Sequence, residues 1–193
     1  MTTETKPPIT KFNLTARLLH WSMAAMVIAQ FFIGVTMIAA LSYYPLLLAI
    51  HRPLGIAILV FAIVRLVNRL TRRLPPFLTT MGPLERRIAS YSEYLLYALL
   101  LAQPLIGWAM VSAAGSPVVL AGAIHLPAIA PTNITLYAVL RTAHTVAAYL
   151  LFATFTAHIC AVLFHTVGLR DRIIHRMSLW PARKEPATDR SDV

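Results

Sequence analysis

Four long apolar stretches, a charged fraction of only 12%, and arginines gathered on one side of those stretches predict an all-α chain. The expected architecture is a transmembrane four-helix bundle with both termini cytoplasmic. Soluble domains carry about 25% charged residues. This chain is 58% hydrophobic over 193 residues and lacks the polar surface needed to face water. One membrane domain over residues 14–178 accounts for the length, with polar tails at 1–13 and 179–193. The net charge of +10 would suit nucleic acid, but no soluble basic face carries it, so no nucleic-acid partner is expected.

A helix crosses the bilayer with about 20 mostly apolar residues. The first such stretch, "LHWSMAAMVIAQFFIGVTMIAAL" from Leu19, is too long for a signal peptide and has no small-residue cleavage site, so it reads as a retained span. The second, "PLLLAIHRPLGIAILVFAIVRL" from Pro45, is the weakest, because Arg52 and Pro53 interrupt it near its start. Neighbouring helices can cover the backbone at such a break. The third, "YLLYALLLAQPLIGWAMVSAA" from Tyr94, runs into Gly115 and Pro117, which suit a turn that ends a helix. The fourth, "TAHTVAAYLLFATFTAHICAVLF", starts at Thr142. The outer loop between the third and fourth is apolar and is expected to lie against the membrane surface. The tail from about Pro181 is polar and expected to be mobile.

The direction of these spans follows from their charges. Of the seventeen Lys and Arg residues, only Arg52, near the start of the second span, and Arg141, just before the fourth, lie on one side; the other fifteen lie on the opposite side. Positively charged segments stay in the cytoplasm, so both termini and the loop "TRRLPPFLTTMGPLERR" are cytoplasmic. The net charge is mostly this topology signal, with some attraction to anionic headgroups. A single cysteine, Cys160, rules out an internal disulfide, a CxxC zinc site and CxxCH haem attachment, and reads as a small packing residue. No nucleophile triad, phosphate-binding glycine loop or paired intramembrane carboxylates point to a hydrolase or an NTPase.

Ionisable residues inside a membrane are expensive and usually functional. Four histidines fall in the spans, and the directions of the spans sort them by depth. His20 and His158 lie near the inner surface, His51 and His144 near the outer. The fourteen residues from His144 to His158 fall about 40° short of four turns and put both rings on nearly one helix face, about 21 Å apart. Two layers of two imidazoles suit two stacked six-coordinate haems in a bundle core. Small residues one turn away, Ala24, Gly55, Ala148 and Ala161, leave room for a flat macrocycle. Arg17 and Arg141 stand three residues before His20 and His144, and Arg52 follows His51. Arginine pairs strongly with carboxylates and so suits haem propionates; snorkelling to the interface is the plainer reading of the same positions. His165 either lines a quinone site or sits wet at the inner interface, while His125 and His175 read as solvated surface groups.

Taken as a set, "LLHW", "HRPLG" followed by "VRLVNR", "QPLIGWAM" followed by "GSP", and the H-x13-H fourth span resemble the prokaryotic cytochrome b561 family over about residues 13 to 178. The resemblance implies a four-helix b-type cytochrome of the bacterial inner membrane with two haem b groups. It also implies His20, His51, His144 and His158 as axial metal ligands, matching the depth reading. Two histidines per iron leave no open site, which favours outer-sphere electron transfer. The resemblance further suggests ubiquinone as electron partner, and superoxide at the periplasmic face as one candidate donor. All seven acidic residues fall on the inner side, so Arg52 and Arg141 would steer a small anion to the outer face unless propionates neutralise them. A rival reading makes the chain the membrane cytochrome b subunit of a hydrogenase or dehydrogenase complex, exchanging electrons with a redox protein. A small transporter or metal-binding protein would instead be colourless.

Overall fold

In the computed structural model the described residues are 11–78, 80–116, 118–120, 122, 124–171 and 173–180. Helix α1, Leu14–Ala39, begins where the Asn13 side chain accepts from the Ala16 amide at 2.7 Å, so an ordinary N-cap sets its start five residues before the apolar stretch. After a short 3-10 turn, Leu41–Tyr43, helix α2 runs over Tyr44–Thr71 with Pro45 in its first turn. Pro53 lies inside α2, and the helix continues through it. Helix α3, Pro83–Ala113, starts eleven residues before the apolar stretch, with Pro83 in its first turn and Glu85 accepting from the Gly82 amide at 2.8 Å. Its polar first turns were not visible as part of a membrane span because capping, rather than hydrophobicity, defines them.

The end of α3 is built as expected around Gly115, whose φ is +68°. The Gly115 amide donates to Ser112 O and the Ser116 amide to Val111 O, the paired bonds of a Schellman turn, which needs the left-handed conformation glycine adopts freely. Pro117 and the tail from Pro181 lie outside the described residues. The connection that follows forms a small antiparallel hairpin, β1 Val119–Leu120 with β2 Ile124–His125, the one departure from an all-α chain among the described residues. It folds back on α3: the Trp108 indole donates to Pro127 O and the Ile129 amide to Ser112 Oγ. Helix α4, Ile134–Leu163, opens on the Asn133 cap and closes in a π-helical turn, Phe164–Gly168.

All four helices are long and apolar enough to cross a membrane. Alternating connections place both described chain ends at one end of the bundle. There the Phe12 amide bonds Arg176 O, Lys11 reaches Trp180 O, and the Trp21 indole donates to Met177 O. Large apolar side chains such as Phe32, Val35 and Ile38 point outward, as a lipid-facing surface requires. Cys160 is also exposed, so it faces outward and does not pack in the bundle as expected from its size. Sequential neighbours pack closely, α1 on α2 and α3 on α4, with α2 on α3 less so; among the described residues the backbones of α1 and α2 approach α4 least. That gap positions the site.

Candidate functional site

Facing histidines bridge the gap at two levels. His20 of α1 and His158 of α4 have ring centroids 6.5 Å apart with their planes at 71°. His51 of α2 and His144 of α4 stand 6.2 Å apart at 73°. The first pair lies toward the end bearing the chain termini, the second toward the hairpin. Between the levels Phe31 of α1 meets Phe152 and Phe155 of α4 edge to face, at 5.4 and 5.5 Å.

These separations have a chemical meaning. With a metal–imidazole bond of about 2 Å and a ring centroid about 1.2 Å behind the ligating nitrogen, imidazoles on opposite sides of one ion have centroids about 6.4 Å apart. Both pairs match that figure. No group of three or more His, Cys, Asp or Glu side chains converges among the described residues, so each pair can offer an ion two axial nitrogens and little else. An ion that carries its own equatorial ligands, as haem iron does, suits such a pair. Nδ1 of His51 and of His144 is buried without a hydrogen-bond partner, which is costly for a polar atom in hydrocarbon. The residues present therefore fit b haem.

The arginines separate on inspection. Arg52 donates to Ser116 Oγ at 3.3 Å and keeps a buried, unpartnered Nε. Arg141 is exposed. Arg17 is drawn to the C-terminal segment, donating to Ser178 O at 2.7 Å. A second basic group, which the sequence reading used only for topology, lies at the termini end. Arg65 donates to the Tyr97 hydroxyl at 3.1 Å, and Arg69 grips Glu93 with two bonds of 2.6 and 2.8 Å. Arg65 is within electrostatic reach of both His20 and His158. Only the pattern of α2 facing α3 brings Arg65 and Tyr97 together, so the sequence alone gave no signal.

His165 is not wet. Its Nδ1 lies 2.6 Å from Asp171 Oδ2, both side chains mostly buried, and Asp171 Oδ1 accepts from the Ile173 amide. The π-helical turn brings the two residues together. His125 and His175 are exposed, as expected.

At Gly55, expected to leave room for a macrocycle, a Cβ would meet Gln30 Nε2 at 3.6 Å. A closer approach to a histidine ring occurs at Gly107 of α3, where a Cβ would lie 3.0 Å from Cε1 of His144. Two further residues touch the hairpin-side pair. Gln30 Nε2 donates to His51 O at 3.0 Å, and Gln103 Nε2 donates to His144 O at 3.1 Å. One signal existed for them: they are the only glutamines in the chain, and both lie inside apolar spans.

The sequence profile of the prokaryotic cytochrome b561 family matches residues 11–179. The chain is 31% identical over 160 residues to the probable superoxide oxidase CybB of Yersinia pestis, covering 82% of this chain and 90% of that protein. It is 28% identical over 184 residues to cytochrome b562 of Cereibacter sphaeroides, covering 89% and 96%. With four membrane-spanning helices, histidines paired across α4 and a profile match over nearly its whole length, the chain belongs to the prokaryotic cytochrome b561 family of bacterial membrane cytochromes, which carry electrons on b-type haem.

Proposed function

We propose that the protein carries electrons across the bacterial inner membrane through two bis-histidine b haems, one on His20 and His158 and one on His51 and His144, and delivers them to the quinone pool. The observation that supports this most directly is the spacing of the two imidazole pairs, 6.5 and 6.2 Å, at two levels of one bundle. When bound, haem supplies a one-electron iron couple whose axial positions are both taken. The histidines fix the two levels, and Phe31 meets Phe152 and Phe155 edge to face between them.

The end that bears the termini is the cytoplasmic one in this reading, since it carries Lys11, Arg17, Arg65, Arg69, Arg72, Arg73, Arg86 and Arg87, against Arg52 and Arg141 at the other. At the periplasmic end Arg52 and Arg141, with no acidic residue near them in sequence, attract an anionic donor and suit the propionates of the haem beside them. Superoxide is the donor that the name of the Yersinia relative suggests. Arg17 remains the candidate for the cytoplasmic-side propionates, joined by Arg65. Reducing a quinone takes two electrons, hence two superoxide ions oxidised to dioxygen, and two protons. The His165–Asp171 pair, seven residues beyond His158 and so about 10 Å further along the axis, can hold a proton at the cytoplasmic rim.

The experiment is a dithionite-reduced minus oxidised spectrum with haem stoichiometry, then superoxide-driven ubiquinone reduction in proteoliposomes. Two b haems per chain and quinol formation are expected. A colourless protein that stays colourless after haem addition refutes the haem reading. A two-haem protein inert to superoxide refutes only the donor and points to a redox-protein partner.

A further inference from the structure

Away from the histidine levels, the start of α3 carries a second built feature. Arg87, Ser90, Tyr91 and Tyr94 are spaced i, i+3, i+4 and i+7, so they share one face of α3. Arg86, and Phe77 from the connection between α2 and α3, complete a groove of about 430 Å³ around them. That volume falls in the range of about 300–1,000 Å³ typical of small-molecule sites. Its wall is braced by hydrogen bonds. Arg86 Nε donates to Met81 O at 2.9 Å and its Nη2 reaches Leu78 O at 3.5 Å, which ties the connection to the helix. Ser90 Oγ donates to Arg86 O at 2.9 Å.

Charge and depth identify the ligand. No acidic side chain lines the groove, and Arg87 makes no hydrogen bond or ion pair among the described residues. Glu93, two turns on, is held by Arg69 on the side of α3 that meets α2. Two adjacent guanidinium groups without a counter-charge call for an anion, and phosphate matches the guanidinium fork well. Along the axis, Tyr94 opens the apolar stretch of α3, and Arg87 stands seven residues before it, about 10 Å further out. The arginines therefore lie at headgroup level and the tyrosines at the border of the hydrocarbon, where tyrosine concentrates. Tyr91 and Tyr94 are 72% and 62% exposed, a surface that a small hydrated anion would leave uncovered. A phospholipid has the same order of parts: phosphate outermost, glycerol esters next, acyl chains below.

We propose that this groove binds one phospholipid of net negative charge, phosphatidylglycerol in type, with its phosphodiester at Arg86 and Arg87 and its glycerol and upper acyl chain against Tyr91, Tyr94 and Phe77. A phosphatidylethanolamine headgroup carries its own ammonium beside the phosphate and gains less from two arginines. The site is independent of the haem reading and holds whichever side of the membrane this end faces. A basic rim attracts anionic lipid in proportion to its charge. This groove adds a dependence on where the charge stands.

Native mass spectrometry of the detergent-purified protein, titrated with phosphatidylglycerol or phosphatidylethanolamine, tests this with R87Q and R73Q. Arg73 is an exposed arginine at the same end of the bundle and outside the groove, so the two variants lose the same charge. The wild type should bind one phosphatidylglycerol in preference to phosphatidylethanolamine. R87Q should bind it about fivefold more weakly, while R73Q binds as the wild type does. Unchanged binding by R87Q, an equal loss in R73Q, or equal affinity of the wild type for the two lipids overturns the proposal. Soluble glycerol 3-phosphate at the concentration of the lipid should leave the lipid bound. Displacement would make the groove a site for a soluble anion and overturn the lipid reading.

Discussion

Replacing Gly107 by alanine puts a methyl group 3.0 Å from Cε1 and 3.3 Å from Nδ1 of His144. Carbon contacts are most favourable near 3.5–4.0 Å, so the ring or α3 must yield by about 0.5 Å. Overpacking of this kind costs about 1–3 kcal/mol. Falling on the haem-bound arrangement, it weakens haem affinity about 5- to 150-fold at 1.4 kcal/mol per decade. Gly55→Ala is the internal control, since its methyl would meet Gln30 Nε2 at an ordinary 3.6 Å. Alanine gains about 1 kcal/mol over glycine in helix preference at either site, so the difference between the two variants isolates the His144 contact. The assay is haem content per chain and thermal release of haem from the purified protein, followed at the Soret band. G107A should release one haem early while G55A behaves as wild type. Identical release from G107A, G55A and the wild type would refute the idea that the Gly107–His144 approach constrains the ligand.

Three further outcomes follow from the geometry. His158→Ala should lower the haem content from two per chain to one; retention of both would exclude His158 as a ligand. With haems bound as proposed, imidazole planes at 71° and 73° would leave the two iron orbitals that carry the unpaired electron nearly degenerate, so both ferric centres should give strongly anisotropic low-spin EPR signals with a large highest g value. Two ordinary rhombic signals would contradict those angles. Glu93→Gln removes the charge that Arg69 grips twice across α2 and α3; the pair is partly solvated, so the loss is about 1 kcal/mol, a drop of roughly 2–4 °C in melting temperature. An unchanged melting point would show the pair contributes nothing.

The four spans were legible because bilayer thickness imposes a length that hydrophobicity alone reveals. The ends of the helices were not: α3 starts at Pro83 and α4 at Ile134 because Glu85 and Asn133 cap them, and polar caps look like loop. The histidine pairs were legible because span direction converts sequence position into depth. What surrounds them was not, since that depends on which faces of neighbouring helices meet. Gly55 is next in line to His51 by periodicity, yet α1 turns Gln30 toward it, while Gly107, 56 residues after His51 and 37 before His144, lies against the His144 ring. Arg65 followed the same rule, counted as a topology charge until α3 brought Tyr97 to it. The hairpin at Val119–His125 is too short for a two-residue period to show.

The helices that carry facing histidines are the ones whose backbones, among the described residues, pack on each other least; between the two histidine levels only side chains such as Phe31 of α1 and Phe152 and Phe155 of α4 bridge the space. α1 lies on α2, α2 on α3 and α3 on α4, an open chain of neighbours, while His20–His158 and His51–His144 join α1 to α4 and α2 to α4. In lipid, two apolar helix faces gain little from meeting, because the hydrocarbon around them is as apolar as they are. With haem bound as proposed, coordination would be the closure that turns the open chain of helices into a ring. Each iron would then be a staple between elements far apart in sequence, 138 residues for the first pair and 93 for the second. Ligand supply and assembly would then be linked: a cell short of haem would make a chain whose fourth helix is held by α3 and, toward α1, by the contacts of Phe31 with Phe152 and Phe155, and the abundance of the protein would follow its cofactor.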